Sequence, residues 1–249
     1  MTTSTPRPEP GRTLRELAGA GRLAGHQVMD RPTLDWVARN RPAGARVPAS
    51  LPHRPVPLVP DAAWFARRRT ASSIHGVLHG ARVAALLQLL AHHHRVDATR
   101  ARALAAAAAC HDCRRLDDRA DPGHGRRAAD WLTAHGHLVT VAPGTPPAPE
   151  AITAVALHEV PHEAFTGAEA EAYRRHRLAV DLLKAADALD RYRLPLARWW
   201  PDLRRLRLPV PGWAPPLAHD LVVRSERARL DGATDAQAIE IALHAVLPE

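Results

Sequence analysis

The stretch Cys110-His111-Asp112-Cys113 sets a histidine beside an aspartate where an alanine-rich run ends. Imidazole nitrogen and carboxylate oxygen together suit divalent transition metals, and adjacent side chains reach one ion if the backbone bends there. Residues of the same chemistry lie on both sides: His75 and His79 upstream, then His124, His158, His162, Asp187 and Asp190. His75 and His79 stand four apart, so a helix projects both from one face, with Arg82 a turn further on. On spacing alone either is a ligand. Asp187 lies in an apolar helical pattern, Lys184-Ala-Ala-Asp187-Ala-Leu-Asp190-Arg191, where a carboxylate needs a partner that a cation would supply. Of 16 histidines several must be surface groups, and His92, His93, His94, His135, His137 and His244 read that way.

Two further motifs compete for the same residues. His158-Glu159-Val160-Pro161-His162 fits the H-E-x-x-H of zinc proteases, which needs both histidines on one helical turn. Pro161 would remove a backbone donor inside that turn and clash with the carbonyl four residues back, so a protease is not expected. Cys110 and Cys113 have C-x-x-C spacing without the strand-to-helix setting of a redox pair, and no second pair completes a four-thiolate zinc site. They read as small side chains packed around the His-Asp turn, with no disulfide framework, which suits a reducing compartment.

These residues must be carried by helices. The 249 residues are 46% hydrophobic but only 4% aromatic, with alanine and leucine dominant, so an all-α chain is expected, with one domain and a helical appendage. The formal charge of +8 raises nucleic acid as a partner. Lys184 is the single lysine among 34 basic residues, and the arginines are scattered without a basic tract, which argues against it. A positive field still draws in small phosphorylated substrates. The Met-Thr-Thr-Ser-Thr-Pro-Arg-Pro start has no apolar core of a signal peptide and no segment is long enough to span a bilayer, so a cytoplasmic protein without a membrane partner is expected.

Residues 1–11 read as disordered, 13–23 and 33–40 as short helices, and the proline-rich 48–60 as an extended connector and domain boundary. Ser72 and Ser73 are expected to cap a helix running through Leu90. Further helices are expected over 98–110, 125–134, 150–158, 167–192 and 235–246, with a proline-glycine loop at 142–149 and an irregular tryptophan-bearing arm over 195–216. This divides the chain into an N-terminal extension (1–60), a metal-binding domain (61–195) and a C-terminal arm with a helix (196–249).

Four separated segments, Ser73-Ile74-His75-Gly76-Val77-Leu78-His79-Gly80-Ala81-Arg82-Val83, His111-Asp112 with Arg115 and Asp118, Asp121-Pro122-Gly123-His124-Gly125, and Ala186-Asp187-Ala188-Leu189-Asp190-Arg191, occur in an order that resembles the HD-domain superfamily of metal-dependent phosphohydrolases, in a poorly characterised bacterial branch. The resemblance covers about residues 70–195 and implies an HD-like helical bundle. It implies that His79, His111, Asp112 and Asp187 hold one divalent transition metal (Mn, Fe, Ni, Co or Zn). It further implies that His124 and His158 serve a second ion bridged by Asp112. The implied reaction is hydrolysis of a phosphate ester of a nucleotide or small phosphorylated metabolite by metal-activated water. Arg82, Arg115 and Lys184 are candidates for phosphate contact; for the arginines the alternative is an ion pair with Asp118 or Asp121. Relatives with such ligand sets also house two irons and activate dioxygen, and a non-catalytic nucleotide- or metal-binding module is a further alternative.

Overall fold

The structure, a computed structural model, describes residues 11–48, 54–139 and 147–248. Residues 1–10, the middle of the proline connector and most of the proline-glycine loop lie outside the described residues. Its helices are α1 (Leu14–Gly19), α2 (Arg31–Arg39), α3 (Arg68–Ala71), α4 (Val77–His93), α5 (Ala98–Ala109), α6 (His124–Val139), α7 (Pro149–Leu157), α8 (Gly167–Asp190), α9 (Ala214–Leu230) and α10 (Asp235–Val246). Short 3-10 turns join several of them, and no strand occurs among the described residues. Among these residues no helix is long and apolar enough to cross a membrane.

Capping explains where half of these helices begin. Thr13, Thr166 and Thr234 each form a capping box with the residue three further on, and Asp30 and Asp97 accept hydrogen bonds from the first turns of α2 and α5. The expected serine cap of α4 is not formed. α4 starts at Gly76 without a side-chain cap, and the Ser73 hydroxyl instead donates to Asp118 at 2.7 Å.

α4 is apolar on every face, and such a helix belongs at the centre of a fold. Every residue from Val77 to Ala91 is buried, with α5, α8, α9 and α10 packed around it. The α5 contact is close because of Gly80: a Cβ there would lie 2.2 Å from the Ala109 carbonyl oxygen. The last turn of α5, just before His111, is thereby seated against α4 beside His79.

The C-terminal segment contains a helix that the sequence reading did not anticipate. α9 follows a proline-rich stretch and has Pro215 and Pro216 in its own first turn, where their missing N–H groups have no intrahelical partner to lose. It buries Leu217, Leu221 and Val222 in the same core as α4 and α8. α2 lies on α9, and the His219 ring meets the Val37 carbonyl at 2.8 Å.

Candidate metal centre

Helix ends and the buried α4 bring the predicted residues together. α4 carries His79; the turn after α5 carries His111 and Asp112; α6 begins at His124; His158 caps the end of α7; Asp187 sits in the last turns of α8. The α6–α7 approach depends on Gly125, since a Cβ there would come within 3.0 Å of the His158 ring and 2.8 Å of the Val155 oxygen.

Each of four imidazoles is anchored through Nδ1. His111 Nδ1 lies 2.7 Å from the Ala108 carbonyl, His158 Nδ1 2.7 Å from that of Val155, and His124 Nδ1 2.7 Å from that of Asp121. Carbonyl oxygens only accept, so each Nδ1 carries a proton and Nε2 faces away from the carbonyl. His79 Nδ1 donates in the same manner to Asp190 at 2.8 Å. Glu159 adds a carboxylate oxygen 2.9 Å from His124 Nδ1, while its other oxygen accepts the Gly125 N–H at 2.7 Å.

The Nε2 atoms converge on two carboxylates. His79 Nε2 is 3.5 Å from both Asp112 and Asp187, and His111 Nε2 is 3.8 Å and 3.7 Å from the same pair. On the other side of Asp112, its Oδ1 is 2.9 Å from His124 Nε2 and 3.4 Å from His158 Nε2. His79 Nε2 and His111 Nε2 are buried and have no hydrogen-bond partner among the described residues. Orphaned buried polar atoms are rare and costly, and two imidazole nitrogens facing the same two carboxylates fit a cation. The groups His79-His111-Asp187 and His111-Asp112-His158 each place ligand atoms within 4.8 Å of one another. The donor set therefore fits a metal ion.

No family model, curated protein or solved structure matches the chain.

His75, left open by spacing alone, also reaches the cluster: its Nδ1 is 3.0 Å from Asp112 Oδ2 and accepts from Arg193 at 3.0 Å. Asp190 is not at the convergence point; it supports His79 from behind. His162 is turned away, with Nε2 3.2 Å from Asp181, and α7 ends before Pro161, so the H-E-x-x-H helix is not formed. Glu159, Asp190 and Arg193 escaped the sequence reading as supports. Their signal, an acceptor behind each ring, appears only once the helices are packed.

Burial works against charge here and loses at the carboxylates. It would raise the Asp112 carboxyl, but Arg115, His111 and His124 outweigh it and hold Asp112 well below the usual carboxylate range. Asp187 is held low against burial by His111, His79 and Arg193. Burial would lower His124, yet the charge of Asp112 and hydrogen bonds to Asp112 and Glu159 push it up to about 10. His158, by contrast, is lowered by burial, with a smaller opposing hydrogen bond to Asp112.

The three candidate phosphate contacts separate. Arg82 is completely buried and away from the cavity, its guanidinium shared among Asp190 (2.7 Å and 3.1 Å), Glu226 (2.9 Å) and Ser225 (3.2 Å). The phosphate-contact expectation is thus corrected for Arg82, and so is the alternative pairing, because Asp118 and Asp121 are held by Ser73, Gln27, Arg127 and the Leu116 N–H instead. Arg115 lies in the wall of a cavity of about 660 Å³ that opens over Asp112 and Asp187. Its Nη1 is 3.2 Å from His124 Nε2 and 3.8 Å from Asp112, and its buried Nε has no hydrogen-bond partner among the described residues. Lys184 donates to the carbonyls of His158 and Val160 at 2.9 Å and 2.6 Å, tying the end of α7 to α8, and lines a second cavity alongside Asp187.

Proposed function

We propose that the protein is a metal-dependent phosphohydrolase of the HD type, hydrolysing a phosphate ester of a nucleotide or small phosphorylated metabolite. The carrying observation is the set of Nε2 atoms facing Asp112 and Asp187, with His79 Nε2 and His111 Nε2 left without a hydrogen-bond partner among the described residues. In this reading His79, His111, Asp112 and Asp187 hold one divalent transition metal. His124 and His158, with Asp112, would hold a second ion. A bound ion supplies a water of lowered pKa and polarises the phosphoryl oxygen.

The chain's own groups supply the rest. Asp190, Glu159 and the carbonyls of Ala108, Asp121 and Val155 fix the ring orientations, so little reorganisation accompanies the reaction. Arg115 presents a guanidinium beside Asp112 on the cavity wall, where it binds the phosphoryl oxygens and offsets their charge. Asp187 keeps 28% of its side chain exposed, which leaves an approach from the cavity.

The test is phosphate release. Protein reconstituted with Mn, Fe, Ni, Co or Zn is assayed against mononucleotides, cyclic nucleotides and phosphorylated metabolites. Turnover by the parent that is lost in Asp112→Asn, with helical content retained, is the expected result. No release from any of them by metal-loaded parent overturns the reading, and dioxygen consumption by the iron-loaded protein in its place points to the oxygenase.

A further inference from the structure

A second cavity, of about 410 Å³, meets the metal centre at Asp187 and His158 and runs from them toward the C-terminal arm. Its size lies within the range of small-ligand sites. Five basic side chains line it: Lys184 and Arg191 from α8 and the turn after it, and Arg198, Arg205 and Arg207 from the arm. Three carboxylates also line it, and each is engaged. Asp187 belongs to the metal centre, Asp181 takes the Tyr173 hydroxyl and His162, and Asp202 pairs with Arg204 and Arg205.

Arg198 and Arg207 differ from the other cations. Neither has a carboxylate partner among the described residues; Arg198 lies over the Trp199 ring at 5.3 Å and Arg207 over the Tyr173 ring at 5.5 Å. Stacking on an aromatic face orients a guanidinium while leaving its N–H edge free, the arrangement that receives a phosphate or carboxylate in a fork. Arg191 is held by its Nε–H donated to the Trp199 carbonyl at 2.7 Å and lines both cavities, so the cationic surface is continuous from the metal centre to the arm.

We propose that this cavity binds a second anionic group of the substrate, remote from the phosphate that is hydrolysed, and that Arg198 and Arg207 are its receptors. The substrate class is then a molecule with two separated anionic groups. The word substrate here rests on the phosphohydrolase reading; the anion site itself does not.

Binding to the metal-loaded protein is measured by calorimetry with a bisphosphonate bearing one phosphonate at each end of a six-carbon chain, and with the monophosphonate of that chain. Their C–P bonds resist hydrolysis, so the readout is independent of turnover. The parent is expected to bind the bisphosphonate at least about tenfold more tightly, the worth of one good charge-assisted contact. In Arg198→Ala/Arg207→Ala, with an unchanged melting temperature, that difference disappears. The same chain with a carboxylate at the far end identifies the second group: affinity matching the bisphosphonate means a carboxylate suffices, and affinity between the two probes means a phosphate is preferred. Equal affinity of parent and double variant for the bisphosphonate overturns the proposal, even where the parent releases phosphate from test esters. Absence of phosphate release with the affinity difference intact overturns the hydrolase reading alone.

Discussion

Arg82 shows how far a candidate catalytic group can sit from the converging histidines while still being tied to one of them. Its guanidinium joins Asp190, which orients His79, to Glu226 on α9, and every member of the set is buried. Arg82→Met leaves two buried carboxylates short of their main partner. A loss of about 3 kcal/mol in urea unfolding is expected, at the low end for a broken buried pair, because Asp190 keeps His79 and Glu226 keeps Arg229. A loss below about 0.5 kcal/mol, the level of a surface substitution, would contradict this account of Arg82. The candidate ligand types and their order were legible in the sequence because histidine-aspartate adjacency is visible without a fold. The groups behind the rings were not. What distinguishes Asp190 from Asp187 is which of them faces Nδ1 of His79 and which faces Nε2, and their positions three apart on one helix do not reveal it.

Helices were legible where period and caps agree, as in α5, α8 and α10, and illegible where proline density masked them. α9 starts at the end of the proline-rich stretch 195–216 and goes unassigned until Pro215 and Pro216 are recognised as first-turn residues. The start of α4 misled in the opposite sense: Ser72 and Ser73 are good caps, but the buried Asp118 carboxylate takes the Ser73 hydroxyl and moves the helix start to Gly76. Pro161 acted as its chemistry requires, ending α7 and sending His162 to Asp181. His162→Ala is therefore expected to retain metal and His79→Ala to lose it, read by elemental analysis of the purified variants. A metal-free His162→Ala protein would restore the H-E-x-x-H reading.

Across the whole molecule, the N-terminal segment is tied to α9 by Arg41, whose guanidinium meets Asp220 in a two-pronged contact at 2.7 Å and 2.8 Å. Burial would raise the Asp220 carboxyl, but hydrogen bonds from His219 and Arg41 outweigh it and lower it to about 2. A carboxyl depressed in the folded state stabilises fully above its unfolded value of 3.8 and loses that contribution as pH falls through about 2. With Arg41 half exposed, solvent screening limits the effect to about 0.5–1 kcal/mol. Acid unfolding curves of parent and Asp220→Asn should thus converge between pH 4 and pH 2 while the parent is the more stable at pH 6; parallel curves across this range would refute the tie. The central claim, that these helix ends converge to hold metal, is tested most directly by metal stoichiometry. Elemental analysis after saturation with Mn, Fe or Ni should give two ions per chain in the parent, one in His124→Ala/His158→Ala and none in Asp112→Ala, all three remaining helical. One ion per chain in both parent and the double variant would contradict the second position, and a parent that binds no metal, with a melting temperature unmoved by any of these ions, would contradict the account itself.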